Sequence, residues 1–416
     1  MNQNSEIYDL IVVGGGASGM MASGVAGEKG RKVLLIEKNK NLGEKLKITG
    51  GGRCNITNAD YDLHAFLAHY GKAKDFLYSP FSQFGVKETF NFFEFRGLPL
   101  VVQARNRVFP KTEKAFDVFR VLEKYVRENK VKVLTGKPVT GIITKDKKIM
   151  AVRCGKEEYC ARRFIFATGG LAHPETGSTG DGFKWLQKLG HTVLKPTPTI
   201  VPLSVKERWV KNLSGVSLSF MKITFFLDGK KQFSKTGKIL FTHFGLSGPL
   251  ILNLAGKVGD LLHSGVVTAK IDAYPDTDLG SLDKKITNIL NLHKNKTMRK
   301  AMKNIAPNGM DGAILSLLNQ NLSPEVKVHS ITKEKRKEIA RILNALPVTI
   351  TGLMGYDRAV VADGGVPLTE VDTKTMRSKI IDNLYLTGDL LHINRPSGGY
   401  SLQLCWTSGF VAGSQG

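Results

Sequence analysis

The stretch from Asp9 to Glu37, DLIVVGGGASGMMASGVAGEKGRKVLLIE, constrains the fold more than any other part of the chain. An apolar strand, Leu10 to Val13, enters Gly14-x-Gly16-x-x-Gly19. A helix rich in small residues follows, and a second apolar strand, Lys32 to Ile36, ends in an acid, Glu37. Strand, turn, helix, strand and acid in this register form a βαβ unit that binds a dinucleotide. Gly14 permits the tight turn, Gly16 lets the backbone approach a pyrophosphate, and Gly19 lets helix and strand pack closely. The helix N-terminus offers unbonded N–H groups and a partial positive charge to the phosphates. Glu37 is expected to accept both hydroxyls of an adenosine ribose.

The 416 residues leave room for two or three domains, and 42% hydrophobic with 23% charged residues is ordinary for a globular protein. No apolar run reaches the roughly 18 residues of a membrane span. The opening MNQNSEIYDL lacks a basic segment followed by an apolar one, so a cytoplasmic location is expected. Cys54, Cys154, Cys160 and Cys405 are scattered without CxxC or zinc spacing, which predicts thiols and no metal site. Charge is the unusual quantity: 60 Lys and Arg against 36 Asp and Glu leave +24. A small anionic metabolite needs a few local cations, whereas an excess of this size suits a polyanion such as nucleic acid.

Along the chain, residues 1 to about 195 read as α/β. VKVLTG, VTGIITKD, KIMAVRC and EEYCARRFIFATGG predict successive short strands, and KTEKAFDVFRVLEKYVREN an amphipathic helix. PTPTIVPL reads as a Pro-punctuated linker, and FMKITFFLD, KQFSK and GKILFTHFGLSGPLILNLA as strands and turns of a β-rich insert over 196–278. Residues 279–346 read as basic helices, the last starting at a plausible N-cap, Thr332. Lys294, Lys296, Arg299, Lys300, Lys303, Lys335, Arg336 and Lys337 have few acids among them and are candidate RNA contacts. From 347 to 416 the α/β texture returns, so the dinucleotide domain is expected to be discontinuous.

GGGASG, LGEKLKITGGGRCNITN, ATGG…TGSTGDGF, THFGLSGP, ADGGVPLTEV and NLYLTGDLL…SGGYSLQ…SGFVAG occur in this order over nearly the whole chain. The set resembles the BaiN/RdsA family of FAD-dependent oxidoreductases, with ITGGGRCNITN its most specific element. The resemblance implies a glutathione-reductase-like Rossmann FAD domain of α/β class, with an inserted β-barrel-like and helical unit. It offers three activities: dihydrouridine synthesis in large-subunit ribosomal RNA, bile-acid-type enone reduction, and aminoacetone-type amine oxidation. The net charge ranks the RNA substrate first.

By the same resemblance, Gly14, Gly16, Ala17, Ser18 and Gly19 hold the pyrophosphate, and Glu37 with Lys38 the ribose. Gly50, Gly52, Arg53 and Cys54 pass near the flavin, with Asn55 fixing that loop. Val139, in a strand-like segment, lies near adenine, and Thr168 and Gly169 line the cofactor. Gly388 and Asp389 meet the ribityl chain, Asp389 accepting a hydroxyl. Gly399, Tyr400, Ser401 and Leu402 bring backbone N–H groups to the flavin pyrimidine. Where many members read GE-x-LDVDGYTGGYN, this chain reads GDLLHINRPSGGYS, so His392, Asn394, Arg395 and Pro396 are substituted around the flavin mouth. With a single GxGxxG, NADH or NADPH is expected to bind only transiently. For the proton that accompanies hydride transfer, Cys54 is the first candidate, although Arg53 beside it is expected to lower its pKa. Tyr400 and His392 follow.

Overall fold

The computed structural model describes residues 7–318 and 322–415. Residues 1–6, part of the N-terminal stretch read above, and residues 319–321, within the 279–346 stretch expected to be helical, lie outside the described residues. The chain forms two compact units, Met1–Pro198 with Val360–Gly416, and Thr199–Ala359. The first is therefore assembled from both parts of the chain around the second.

The first unit is built on a seven-stranded sheet. Its order is Lys132–Leu134, Val33–Ile36, Ile7–Val13, Glu157–Phe166, Lys148–Cys154 and Gly141–Lys145, with Leu384–Leu386 also pairing Glu157–Phe166. The strand Glu157–Phe166 is long enough to serve two neighbours on one edge. Its first half pairs antiparallel with Lys148–Cys154, and its last three residues pair parallel with Leu384–Leu386. The central strands Ile7–Val13, Val33–Ile36 and Leu384–Leu386 are almost wholly buried, which is why they read as unbroken apolar runs.

The helix Ala17–Glu28 leaves the first strand, and the helix Tyr400–Gln415 packs along it. A Cβ on Gly409 would lie 2.5 Å from the Ser18 carbonyl oxygen, and one on Gly413 would lie 2.4 Å from that of Ala22. Only glycine permits this approach. The two contacts advance together along both helices, so the helices run parallel.

The second unit holds a closed antiparallel barrel ordered Leu203–Val205, Gly245–Ser247, Lys230–Thr242, Ser217–Leu227, Val267–Asp272 and Leu346–Leu353. Alternation fills it: Ile223 and Phe225 are buried, while Lys222, Thr224 and Phe226 are half-exposed. The last strand, Leu346–Leu353, lies almost wholly within 347–416, the stretch expected to belong to the flavin domain. The helices Leu279–Leu292, Met298–Ile305, Asp311–Leu318 and Lys333–Asn344 complete the unit. Thr332 caps the last of them by accepting the Lys335 N–H at 3.3 Å.

Three local expectations change. Pro249–Ser264, expected as strand and turn, is a helix that begins with proline at its first position behind Gly248. Leu194–Ile200, which overlaps the linker expected at 196–203, is a strand paired with Val361–Gly365. Its prolines are tolerated because this ribbon has only two strands among the described residues. Val139 lies in irregular chain before Gly141–Lys145, not in a strand.

Candidate active site

The glycine turn is built by exclusion of side chains. Gly14 has φ +106°, and a Cβ there would sit 2.5 Å from the Ala167 carbonyl oxygen. A Cβ on Gly19 would sit 1.8 Å from the Gly14 carbonyl oxygen, so the helix closes onto the turn only as glycine. Gly16 differs: nothing lies within 4 Å of its Cβ position, and it caps the helix without a side-chain bond. Its bare backbone, with the Ala17, Ser18 and Gly19 N–H groups behind it, faces open space. The Ser18 side chain turns the other way, where its Oγ accepts from the Thr387 hydroxyl at 3.1 Å. Ser18 can therefore offer a phosphate its backbone, not its hydroxyl.

Glu37 is less free than its spacing implies. One carboxylate oxygen accepts the Gly15 N–H at 2.7 Å and the other the Asn39 N–H at 2.8 Å. Each oxygen keeps a second lone pair, so the group can still receive a ribose while bracing the turn. Lys137 N–H donates to the Glu37 carbonyl, bringing the segment of Val139 alongside. Lys38 bridges to Asp181 at 2.9 Å.

A second cluster lies at the carboxyl end of the sheet, where open α/β sheets bind ligands. Gly388 turns at φ +60°, and its N–H donates to Ser408 Oγ at 3.0 Å. Asp389 is not a free acceptor. The Arg395 guanidinium pairs with it, donates to the Ile393 carbonyl at 2.7 Å and reaches Ser401 Oγ at 3.1 Å. Burial works to raise the Asp389 pKa, but Arg395 and then Lys45 outweigh it and hold the carboxyl below its usual range. Lys45, which the sequence reading passed over, has its amine 4.0 Å from the Cβ position of Gly169. Burial lowers its pKa, with Asp389 opposing. Its neighbour Lys47 is instead paired with Glu44 at 2.7 Å. The only signal for Lys45 was its place in the GEKLKITGGG block.

Gly399 is pinned rather than open. With the Asn55 amide turned to satisfy both its ends, its oxygen accepts the Gly399 N–H at 3.0 Å and its nitrogen donates to the Thr57 and Val108 carbonyls. The N–H groups left at that helix start are those of Tyr400, Ser401 and Leu402, the first bond of the helix being Gln403 N–H to the Gly399 carbonyl. Ser18 is the second residue of its helix, and its neighbour Gly409 is the tenth of the other. The parallel N-termini are thus staggered by eight residues, about 12 Å at 1.5 Å per residue. Two donor-rich ends facing the same way at that spacing suit an elongated ligand with electron-rich groups at both. Thr168, whose Oγ1 is buried without a partner, and Gly169, at φ +71°, belong to the same sheet edge.

The residues 8–415 match the family described as the HI0933-like protein Rossmann domain. The chain belongs to this family. It is a family of FAD-dependent oxidoreductases. Among relatives, a 3-dehydro-bile acid delta(4,6)-reductase of Clostridium scindens is 29% identical over 97% of both chains. A ribosomal RNA dihydrouridine synthase of Escherichia coli is 27% identical over 98% of this chain and 97% of its own. Among solved structures, a 3-ketosteroid-delta4-(5alpha)-dehydrogenase from Rhodococcus jostii superposes with a TM-score of 0.54. It is 15% identical and is matched over 99% of this chain and 97% of its own. A flavocytochrome c3 fumarate reductase gives 0.55 at 17%, over 99% and 78%. These structural likenesses establish the fold. The unpartnered Thr168 hydroxyl, the bare Gly16 backbone and the staggered helix termini fit FAD.

Of the candidate proton donors, Cys54 shows the reverse of the effect expected from Arg53. It is 0% exposed, and burial pushes its thiol pKa up, opposite to the expected effect of Arg53. Arg53 points away, paired with Glu113 and lying over the Phe109 ring at 4.3 Å. Cys54 itself has φ +60° and follows three glycines at +62°, +68° and +84°, so its place in the loop is conformational. The Tyr400 ring packs against His69, Phe66 and Tyr70, and burial raises its phenol to about 12. His392 is half-exposed beside Asp363.

In the second unit, three candidate RNA cations are already engaged. Arg299 pairs with Glu325 at 2.7 Å, Arg336 with Asp283 at 2.7 Å, and Lys335 with Glu338 at 3.6 Å. Lys294, Lys296, Lys300, Lys303 and Lys337 are exposed and form no ion pair among the described residues. Among those residues no helix is long and apolar enough to cross a membrane, and no group of three or more His, Cys, Asp or Glu side chains is placed to hold a metal ion.

Proposed function

We propose that this chain reduces a carbon–carbon double bond conjugated to a carbonyl, acting on uridine in large-subunit ribosomal RNA, with NADH or NADPH as electron source. The two relatives differ in substrate size but share its electronics. Dihydrouridine is uridine saturated at C5=C6, a bond conjugated to C4=O. A delta(4,6) bond in a 3-dehydro bile acid is conjugated to a 3-oxo group. Bound FAD supplies the hydride for either.

The observation that carries the RNA reading is the group of unpaired lysines on the helical insert. Paired cations lie among them, yet five remain free on a chain of net charge +24. Free cations gain by releasing the counterions of phosphates. Such contacts hold the RNA without reading its sequence. They offset the few kcal/mol needed to draw a base out of its stack. Lys45 and Arg395, through Asp389, give the flavin-facing edge of the sheet a cationic border. We assign the Tyr400, Ser401 and Leu402 N–H groups to the flavin pyrimidine, where negative charge develops on reduction.

Mapping dihydrouridine in the large-subunit ribosomal RNA of a deletion strain tests this directly. Loss of at least one site is expected, and an unchanged map refutes the RNA reading. A small enone remains the second reading, favoured by the 29% identity over 97% of both chains to the bile-acid reductase. Turnover of a 3-oxo-4-ene steroid with a KM insensitive to salt would support it, because RNA affinity falls steeply with salt.

A further inference from the structure

We propose that Asp363 and His392 form a carboxylate–imidazole dyad, with His392 the proton donor to the reduced double bond and Asp363 its positioning residue. The inference rests on the reading of the chain as a reductase of a conjugated double bond.

The two side chains are brought together by the backbone. Val366 N–H donates to the Leu390 carbonyl at 2.8 Å, and His392 N–H donates to the Val366 carbonyl at 2.9 Å. This clamps the end of the Val361–Gly365 strand against the chain leaving the Gly388–Leu390 turn, so His392 lies three residues beyond Asp389. Asp363 Oδ1 lies 3.2 Å from His392 Nδ1. Both atoms are buried, and neither has a hydrogen bond with acceptable geometry. A buried carboxylate oxygen and a buried ring nitrogen each lose free energy when left unsatisfied. A small rotation of the ring satisfies both at once. Catalytic hydrogen bonds are often this loose before substrate binds.

The dyad has a direction. The Asp363 side chain is 16% exposed and that of His392 is 41% exposed. With Nδ1 buried against Asp363, the exposed edge of the ring carries Nε2. Asp363 thus accepts the Nδ1 proton and leaves Nε2 to exchange a proton with a bound molecule or solvent. Such a carboxylate also stabilises the imidazolium form that must precede donation. Cys54 is enclosed and Tyr400 is wedged among aromatic rings. By comparison, His392 combines reach with a carboxylate partner.

The chemistry balances. A conjugated C=C–C=O acceptor gains a hydride at the β carbon, supplied ultimately by the reduced nicotinamide, and the resulting enolate takes a proton at the α carbon. His392 Nε2 supplies that proton, and solvent restores it. In uracil the β carbon is C6 and the α carbon C5. In a 3-oxo-4-ene steroid they are C5 and C4. One dyad therefore serves both substrate classes.

The test separates the two half-reactions in the full-length holoenzyme, using as acceptors an unmodified large-subunit ribosomal RNA transcript and a 3-oxo-4-ene steroid. In His392→Ala, reduction of the flavin by NADH or NADPH should stay within about twofold of wild type. Its reoxidation by the acceptor should slow by on the order of 10² or more, with partial recovery on adding imidazole. Asp363→Asn should slow reoxidation roughly tenfold, and the double variant should be no slower than His392→Ala alone, because the pair acts as a unit. Asp363→Glu should recover part of the loss. Reoxidation at wild-type rates in His392→Ala overturns the dyad, as does equal slowing of both half-reactions or additive loss in the double variant. If wild type is reoxidised by neither acceptor, it is the proposed function that fails.

Discussion

Individual glycines do different work in the same motif. At Gly19 the constraint is space, and at Gly16 it is access. Gly19→Ala must push a methyl into the Gly14 carbonyl 1.8 Å away. We expect it to cost roughly 1–3 kcal/mol of stability or more and to leave little soluble flavoprotein. Gly16→Ala meets open space at φ −81°, an angle any residue adopts. Its thermal stability without cofactor should stay within about 0.5 kcal/mol of wild type. Its FAD affinity should fall by about tenfold, because the methyl keeps phosphate oxygens from the N–H groups. Calorimetry and flavin titration of the two proteins check both. If Gly16→Ala binds FAD as wild type does, the pyrophosphate lies elsewhere. At this scale the sequence was legible where one residue type does one job. It was silent where a side chain had a choice of partners: Ser18 chose Thr387, Asp389 chose Arg395 and Asn55 chose Gly399. Those choices join residues more than 300 positions apart, or across a turn whose shape no periodicity encodes.

At the scale of elements, local pattern read well where burial was one-sided or complete. The amphipathic Ala115–Glu128 helix, the central strands and the Thr332 cap all stand where their spacing places them. The Pro249–Ser264 helix escaped notice because its apolar run, PLILNLA, shows neither period clearly. The Leu194–Ile200 strand escaped because its prolines signal a break, although an edge ribbon accepts them. One junction between elements was invisible in sequence. His191, just past the Asp181–Lys188 helix, sits with Glu370 at 2.8 Å on Nδ1 and Ser378 Oγ at 2.8 Å on Nε2. Ser378 Oγ in turn accepts the Ile380 and Ile381 N–H groups. It therefore spends its proton on His191, and the ring is neutral. Burial holds the His191 pKa below its usual value, Glu370 opposing. Because the folded-state pKa is the lower one, this stabilisation is full above the unfolded value of about 6.5. It is lost as pH falls through the folded value. Thermal midpoints at pH 7 and pH 5 should drop for wild type. The drop should be smaller in His191→Asn, which starts from a lower midpoint at pH 7. An equal drop in both proteins rules out this linkage.

At the scale of the whole molecule, the net charge is partitioned between cations held in structure and cations left free. Neutralising Lys294, Lys296, Lys300 and Lys303 together should reduce the slope of log affinity for RNA against log salt by roughly three. Replacing Arg299 and Arg336, already held by Glu325 and Asp283, should leave that slope nearly unchanged. Of the two pairs, the exposed one, Arg299–Glu325, contributes only about 0–1 kcal/mol to stability. Binding measured across a salt series distinguishes the two sets, and equal effects would mean that the ion pairs open on RNA.

The parallel contact of Ala17–Glu28 with Tyr400–Gln415 also governs when the protein comes into being. The first helix emerges early in synthesis, yet its glycine-lined partner is made only after the whole of the second unit. Leu384–Leu386, which completes the edge of Glu157–Phe166, comes scarcely sooner. At roughly 5–20 residues per second, the nascent chain spends most of its time on the ribosome with this surface uncovered. The interrupting unit, made in between, has all its barrel strands in hand first. A chain stalled before Tyr400–Gln415 therefore has every barrel strand made while its first helix still lacks this partner.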